Sequence, residues 1–178
     1  MDFRIGQKVS YPNQGVCAIE SLDRKDVNGR PVEFYSLRLL SNNSIIFVPK
    51  DNTRTVGVRP VINSVQCSEV LNFLADDFEE IVPDWKTRVR DFSAQIQTGD
   101  IFQVGDALKK LTFLTTFNQL SFREKRLWEK TKFLVVSELA AVCSQTECEV
   151  EEKVDKCLAE ACEKHNLSRI QLASSATH

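Results

Sequence analysis

The sequence predicts an α+β protein in which a small β barrel comes first and an all-α helical bundle follows. Up to about residue 66, apolar and polar residues alternate with a period of two and are separated by turn residues, as is typical of strands. Beyond that point the apolar residues recur every three to four positions, which is the period of an amphipathic helix. The 178 residues suffice for two small domains.

Turn sequences divide the first half into short strands. Pro-Asn-Gln-Gly at 12–15 and Ser-Asn-Asn-Ser at 41–44 interrupt segments rich in β-branched and aromatic residues, and Asn28-Gly29 supplies the positive φ angles of a tight hairpin. The expected strands lie near residues 7–11, 15–23, 32–40, 45–49 and 58–62. Five short strands in about sixty residues favour a strongly twisted barrel of the SH3 or Tudor type.

The third expected strand is apolar on both faces. Alternation along 32–40 separates two sets that both contain apolar residues, namely Tyr35, Leu37 and Leu39 on one face and Phe34, Arg38 and Leu40 on the other. A small domain covers only one face of its sheet with its own core. The second apolar face therefore indicates a partner outside the domain.

Capping and turn residues divide the second half into helices. We expect helices to start at Ser68, at Asp84, after Thr-Gly-Asp at 98–100, and at the capping box Ser121-x-x-Glu124. Pro83 ends the first helix, and the helix that begins at Ser121 extends to about residue 142. Residues 146–165 fit one more amphipathic helix. The expected domains are therefore 1–66 and 67–165, followed by a flexible tail at 166–178.

The sequence lacks the residues of common catalytic sites. Its two histidines, His165 and His178, are both near the C-terminus, which leaves no Ser-His-Asp or Cys-His arrangement in the folded body. Phosphate-binding, dinucleotide-binding and zinc-protease motifs are also missing. We expect a protein that is not an enzyme and that uses no cofactor.

The six cysteines, at 17, 67, 143, 148, 157 and 162, form no Cys-x-x-Cys pair. The last four and His165 gather near the C-terminus, but their spacing matches no common zinc site. We expect no metal and no disulfide framework, with reduced thiols packed as small apolar groups. No apolar stretch is long enough to span a membrane and the first residues are no signal peptide, so we expect a cytoplasmic protein without membrane contact.

Charge is unevenly distributed along the chain. The net charge of −2 gives no sign of nucleic-acid binding. However, residues 67–82 carry five acidic and no basic side chains, whereas residues 83–142 carry ten basic and seven acidic ones. An acidic connector thus precedes a mildly basic segment.

Residues 83–90 combine an aromatic ring with cations. Trp85 at the first turn of a helix, followed by Lys86, Arg88 and Arg90, can present a flat ring flanked by phosphate-binding groups. Trp85 also begins an apolar stripe that continues through Val89, Phe92 and Ile96, so the residues alone fit core packing at least as well. Trp128, in the middle of a long helix, is expected in the core.

Motifs in both halves resemble the CarD/CdnL transcription regulators. Those of the first half are Ile5-Gly-x-Lys8-Val-x-Tyr11-Pro-x-x-Gly15-Val, Tyr35-x-Leu-Arg-Leu39, Ile45-x-Phe-Val-Pro-x-Asp-Asn52 and Val56-Gly-Val-Arg59. Those of the second half are Asp84-Trp85-x-x-Arg88, Thr-Gly-Asp at 98–100, Leu120-Ser-x-x-Glu-Lys125 and Ser137-Glu-Leu-Ala140. They follow the family's order and cover about residues 1–142.

The resemblance implies that residues 1–66 form a Tudor-like domain, similar to the polymerase-interacting domain of transcription-repair coupling factors. In the family this domain binds the β subunit of bacterial RNA polymerase. Together with the second apolar face, the resemblance places Leu37, Phe47 and Pro49 on or beside the docking edge. Phe47 departs from family members that carry Arg or Met at this position.

The resemblance also implies that the helical domain contacts promoter DNA at the upstream edge of the transcription bubble. Trp85 would wedge into the minor groove there, and phosphate contacts would come from Lys86, Arg88, Arg90 and Lys125. The expected function is that of a monomeric, polymerase-bound regulator that stabilises open promoter complexes at the nucleoid. The alternative is a protein-interaction adaptor in which Trp85 is buried and the bundle never touches DNA.

Overall fold

The N-terminal part of the protein is a five-stranded antiparallel sheet. The computed structural model describes residues 2–117 and 120–175. The strands are β1 (Lys8–Tyr11), β2 (Gly15–Val27), β3 (Arg30–Leu39), β4 (Ile45–Pro49) and β5 (Arg59–Pro60), with a 3-10 turn at Lys50–Asn52. Their order in the sheet is β4-β3-β2-β1-β5. The predicted succession of strands and then helices is confirmed.

Strands β2 and β3 form a hairpin that is longer than the sequence pattern predicted. Asn28 and Gly29 close it with φ angles of 54° and 76°, as expected for this turn. Pairing continues to the last residues before the turn, where Val27 is opposite Arg30. This outer half of the hairpin is polar, so hydrophobic alternation does not reveal it.

One face of β3 supplies the core of the barrel. Tyr35, Leu37 and Leu39 are buried there, as their alternation predicted. They pack with residues from the other strands and from the N-terminal segment, namely Phe3, Val9, Cys17, Ile19, Val48 and Val58. The Phe3 backbone N–H donates a hydrogen bond of 3.2 Å to the Tyr35 hydroxyl, which fastens the N-terminal segment to the core.

Within the described ranges, five helices follow the sheet: α1 (Ser64–Leu74), α2 (Trp85–Thr98), α3 (Ile101–Thr115), α4 (Phe122–Cys143) and α5 (Glu147–Ser175). Asp84 and Ser121 cap α2 and α4 as predicted. The prediction for Ser68 is wrong. Asn63 and Gln66 form a capping box that starts α1 earlier, and Ser68 lies inside that helix. None of the helices in the described ranges is long and apolar enough to cross a membrane.

Helix α5 continues well beyond the predicted end at residue 165. The flexible tail expected from residue 166 is therefore wrong through Ser175, and residues 176–178 lie outside the described ranges. The acidic connector anchors this extension, because Asp77 accepts hydrogen bonds from the Ser168 hydroxyl at 2.6 Å and meets the His165 imidazole at 2.8 Å. A contact between segments so far apart in sequence has no local signature.

A bidentate ion pair joins the barrel to the bundle. The Arg59 guanidinium donates to both carboxylate oxygens of Glu138 on α4, at 2.6 and 2.8 Å, and to the Gly99 carbonyl at 2.8 Å. Pro12 packs closely against Gly99, where an added Cβ would be only 2.7 Å from the proline Cγ. The barrel is therefore seated directly on the turn between α2 and α3.

Candidate partner and nucleic-acid surfaces

Strand β4 forms an edge of the sheet, with a strand partner on one side only among the described residues. Its side chains alternate between the core and solvent: Val48 is buried, whereas Phe47 is 53% exposed and Ile45 is 44% exposed. Pro49, half-buried, lies at the end of the strand opposite Phe34 of β3. An edge strand with apolar side chains can accept a further strand from a partner.

Exposed and half-buried apolar side chains lie together on the outer face of the sheet at this edge. We call Phe34, Ile45, Phe47 and Pro49 the β4 surface. The Lys25 ammonium is 4.6 Å from the centre of the Phe47 ring. Leu37 does not belong to this surface, since it is 1% exposed and packs in the barrel core. The prediction that the Leu37 side chain lies at the docking edge is therefore wrong. Alternation along β3 directs this side chain to the inner face of the sheet.

Asp84 fixes the start of α2 so that Trp85 occupies the first helical position. The Asp84 carboxylate accepts hydrogen bonds from the Thr87 hydroxyl at 2.7 Å and from the Thr87 backbone N–H at 2.8 Å. These hydrogen bonds lower the pKa of the Asp84 carboxyl group and keep it ionised. Trp85 is 42% exposed. Phe92 and Ile96 are buried without it, so the structure does not favour the core packing that the residues alone also allowed for Trp85.

Trp128 differs from Trp85 in its surroundings. Its ring is half-buried and packs against both apolar clusters of the bundle, in agreement with the expected core role. The indole N–H donates a hydrogen bond of 3.0 Å to the Thr112 hydroxyl. The protein thus has one tryptophan that stabilises the bundle and one that projects from it.

Arg88 is a structural residue. It is only 8% exposed, and its Nε donates a hydrogen bond of 2.7 Å to the carboxylate of Glu124, which is fully buried. Its Nη1 donates to the backbone carbonyls of Val82 and Pro83 at 3.0 and 2.6 Å. The predicted phosphate contact of Arg88 is wrong, because these buried acceptors already occupy its guanidinium group.

Glu124 ties the first turn of α4 to the first turn of α2. Besides Arg88, its carboxylate accepts hydrogen bonds from the Ser121 hydroxyl and backbone N–H, at 2.7 and 2.8 Å. Burial raises the pKa of Glu124, but the hydrogen bonds from Arg88 and Ser121 outweigh burial, so the pKa is lower than its ordinary value of 4.5. The carboxylate is therefore ionised at neutral pH.

The ion pair brings two groups of exposed side chains to one end of the bundle. On α2 these include Lys86, whose ammonium is 5.9 Å from the Trp85 ring, and Arg90, whose side chain is 76% exposed and pairs with neighbouring Asp91. On α4, Lys125 is exposed as predicted. Sequence reasoning missed three further exposed residues beside it: Phe122, Arg123 and Arg126. We call these exposed residues of α2 and α4, together with Trp85, the α2/α4 end.

Phe122 has the same placement on α4 as Trp85 has on α2. It directly follows the cap Ser121, occupies the first helical position and is 77% exposed. The capping box was recognisable in the sequence, so the position of Phe122 at the start of α4 was recognisable as well. Phe122 could therefore have been found by the argument that singled out Trp85.

No group of three or more histidine, cysteine or acidic side chains in the described ranges is arranged to hold a metal ion. His165, one of the five residues considered for zinc, is buried, stacks on Phe78 at 4.1 Å and contacts Asp77. These contacts give the imidazole a packing role between the connector and α5.

Family models of known proteins match both halves of the chain. Residues 3–62 match the family model for the CarD-like/TRCF RID domain, and residues 69–155 match that for the CarD C-terminal domain. A Bacillus subtilis (strain 168) protein described as "Putative transcription factor YdeB" is 22% identical over 148 residues, covering 83% of this chain and 97% of that protein. The solution structure of the 72-residue N-terminal domain of Myxococcus xanthus CarD is 34% identical, covering 33% of this chain and 79% of that one, with a TM-score of 0.30.

A domain of a polymerase-interacting class followed by a CarD C-terminal domain defines a transcription regulator. The chain belongs to the CarD/CdnL family.

We expect Glu124→Gln to destabilise the protein in a pH-dependent way. At pH 7 the substitution leaves the Arg88 charge buried without a carboxylate, at a cost of about 3 kcal/mol in the free energy of unfolding. Because the folded-state pKa of Glu124 is depressed, its contribution is complete above about pH 4.5 and is lost as the pH falls through the folded-state value. Urea unfolding from pH 7 to pH 3 should show the deficit shrinking in acid.

Glu129→Gln, at an exposed position of the same helix, provides the control and should change stability by less than about 0.5 kcal/mol. Equal stability of the two variants at pH 7 would contradict the structural role given to Glu124.

Proposed function

We propose that this regulator binds the β subunit of RNA polymerase through the β4 surface and holds promoter DNA at the upstream edge of the bubble with the α2/α4 end. In this way it stabilises open promoter complexes. The observation that carries the proposal is the exposure of Trp85 at the first position of a capped helix, beside exposed cations. A tryptophan that contributed only to packing would be buried.

The β4 surface has the properties of a strand-pairing site. Main-chain hydrogen bonds from an added strand supply affinity, while Phe47 and Ile45 provide apolar contacts that favour a matching partner. Pro49 at the end of β4 lacks an N–H, so it limits how far an added strand can extend.

The α2/α4 end has the properties of a DNA surface that reads no sequence. Lys86, Arg90 and Lys125, with the additional Arg123 and Arg126, can neutralise phosphates. Trp85 can insert an apolar ring at a base step from the minor groove, and Phe122 offers a second ring close to the duplex. Unstacking a base step costs a few kcal/mol and costs least where the strands already separate, so the bubble edge is the favoured place.

The net charge of −2 predicts weak affinity for DNA in the absence of polymerase. Docking on polymerase compensates, because it raises the effective concentration of the α2/α4 end beside the promoter. The ion pair between Arg59 and Glu138 holds the two surfaces in one arrangement, so docking also orients the DNA contacts. A stabilisation of about 1.4 kcal/mol would then shift the opening equilibrium tenfold.

An adaptor that never touches DNA is the competing function. The adaptor hypothesis requires a buried Trp85. Trp85 is 42% exposed, which removes the main support for that hypothesis. The adaptor also gives no role to the cations of the α2/α4 end.

Phe47→Glu should weaken capture of the polymerase β subunit at least tenfold, because it puts a carboxylate into an apolar contact. Phe47 is exposed, so the fold should be retained. Val65→Glu makes the same change at an exposed apolar residue of α1 and should bind like the wild type. Titration of labelled β subunit measures both variants, and equal affinities would remove the β4 surface from consideration.

Trp85→Ala should shorten the lifetime of open complexes severalfold while leaving polymerase binding and the melting temperature nearly unchanged. The reason is that the ring contributes little to the core. Trp128→Ala should instead cost about 3 to 5 kcal/mol of folding stability. Competitor-challenged promoter complexes give the lifetime. An unchanged lifetime with an intact fold would contradict the wedge, and a large fall in melting temperature would reinstate a core role.

Lys86→Ala combined with Lys125→Ala should lower the salt dependence of open-complex stabilisation. Each phosphate contact contributes roughly one to the slope of log K against log salt, so the double variant should lose about two. Lys153→Ala combined with Lys156→Ala on α5 removes the same charge away from the proposed surface. Identical slopes for the two double variants would mean that Lys86 and Lys125 do not contact phosphates.

A further inference from the structure

Two cysteine sulfurs from different helices are in contact beside the joint between barrel and bundle. The Cys143 Sγ is 3.2 Å from the Cys67 Sγ, although the residues are 76 positions apart in sequence. Cys67 is buried in the first turn of α1, and Cys143 is the exposed last residue of α4. The expectation that the C-terminal thiols pack as apolar groups is thus wrong for Cys143.

We propose that Cys67 and Cys143 are a redox modification site that closes reversibly to an intramolecular disulfide. The co-reactant is a small disulfide oxidant such as glutathione disulfide. The two thiols lose two electrons and two protons, an S–S bond forms between them, and the oxidant is reduced to two thiol molecules. The sulfur separation must fall from 3.2 Å to about 2.05 Å, a small movement for two adjacent side chains.

The surroundings of the two sulfurs set the order of the steps. Burial, with smaller contributions from the Cys143 thiol and the Glu138 carboxylate, raises the pKa of Cys67 to about 12. Cys143 is exposed and can meet the oxidant. Its thiolate attacks one sulfur of the oxidant, and the first reduced thiol leaves. The Cys67 thiol then transfers its proton to solvent, and its sulfur attacks the Cys143 Sγ and displaces the second glutathione as a thiolate, which takes up a proton from solvent.

Three of the other thiols provide internal controls. Cys17 and Cys162 are buried in other parts of the protein, and Cys148 is exposed on the first turn of α5. Cys148 can form a mixed disulfide with the oxidant. In the described parts of the chain, only Cys67 and Cys143 are in direct sulfur-to-sulfur contact.

A disulfide between Cys67 and Cys143 would fix the start of α1, which follows the barrel, to the end of α4. Cys67 lies four residues after Asn63, which caps α1 directly behind the barrel. Cys143 follows Glu138 on α4, and Glu138 also accepts the Ile62 backbone N–H at 3.1 Å. The cross-link would thus reinforce the contact that sets the barrel against the bundle.

The test uses the full-length protein treated with glutathione disulfide and analysed by mass spectrometry and by melting temperature. We expect the loss of two hydrogen atoms, a cross-linked peptide containing Cys67 and Cys143, and a rise in melting temperature of roughly 5 °C or more, all reversed by dithiothreitol. Cys148→Ser should form the same cross-link and show the same rise in melting temperature, without any oxidant adduct at position 148. Cys143→Ser changes an exposed residue, so it should fold normally and form no cross-link.

Three results would overturn the proposal. They are a lasting glutathione adduct on Cys143 with Cys67 reduced, a cross-link of Cys143 to Cys148, or disulfide-linked dimers in place of the intramolecular bond. None of these results bears on whether the protein binds polymerase or DNA, so the proposal stands or falls independently of the proposed function.

Discussion

The buried ion pair between Arg88 and Glu124 determines the shape of the proposed DNA surface. A carboxylate with no exposed surface is tolerated only if its oxygens are satisfied, and Glu124 achieves this with a guanidinium and the cap of its own helix. The pair brings the starts of α2 and α4 to one place. Trp85 and Phe122 are both exposed there, each at the first position of a capped helix. The ion pair therefore holds together two rings, and their neighbouring cations, that come from two separate helices.

A second ion pair extends this organisation to the barrel. Arg59 leaves the last strand and reaches both Glu138 on α4 and the Gly99 carbonyl between α2 and α3. The helix that begins at the proposed DNA surface is thus the one that holds the barrel. The proposed polymerase-docking and DNA surfaces are therefore linked through packed helices, and a flexible tether is not needed to connect them.

The sequence predicted the features that depend on local chemistry and missed those that depend on distant contacts. The caps Asp84 and Ser121 were predictable, because each cap accepts a hydrogen bond from a backbone N–H only three residues further along the chain. Arg88 was assigned to phosphate because its partner, Glu124, is 36 positions away and no local pattern reveals the pair. The length of α5 was missed for the same reason, since the contact of Ser168 with Asp77 spans 91 positions. The wrong prediction for Leu37 has a different origin. The alternation along β3 had already placed Leu37 on the same face as the core residues Tyr35 and Leu39, so its burial was predictable.

Site-specific photocrosslinking from the α2/α4 end tests the central claim most directly. A photoreactive residue in place of Lys86 keeps Trp85, and the same residue in place of Lys156 on α5 provides the control. In open complexes that contain the protein, position 86 should cross-link to promoter DNA at the upstream edge of the bubble, and position 156 should not. Cross-linking of position 86 to polymerase alone, or to DNA far from the bubble, would contradict the proposed role of this surface.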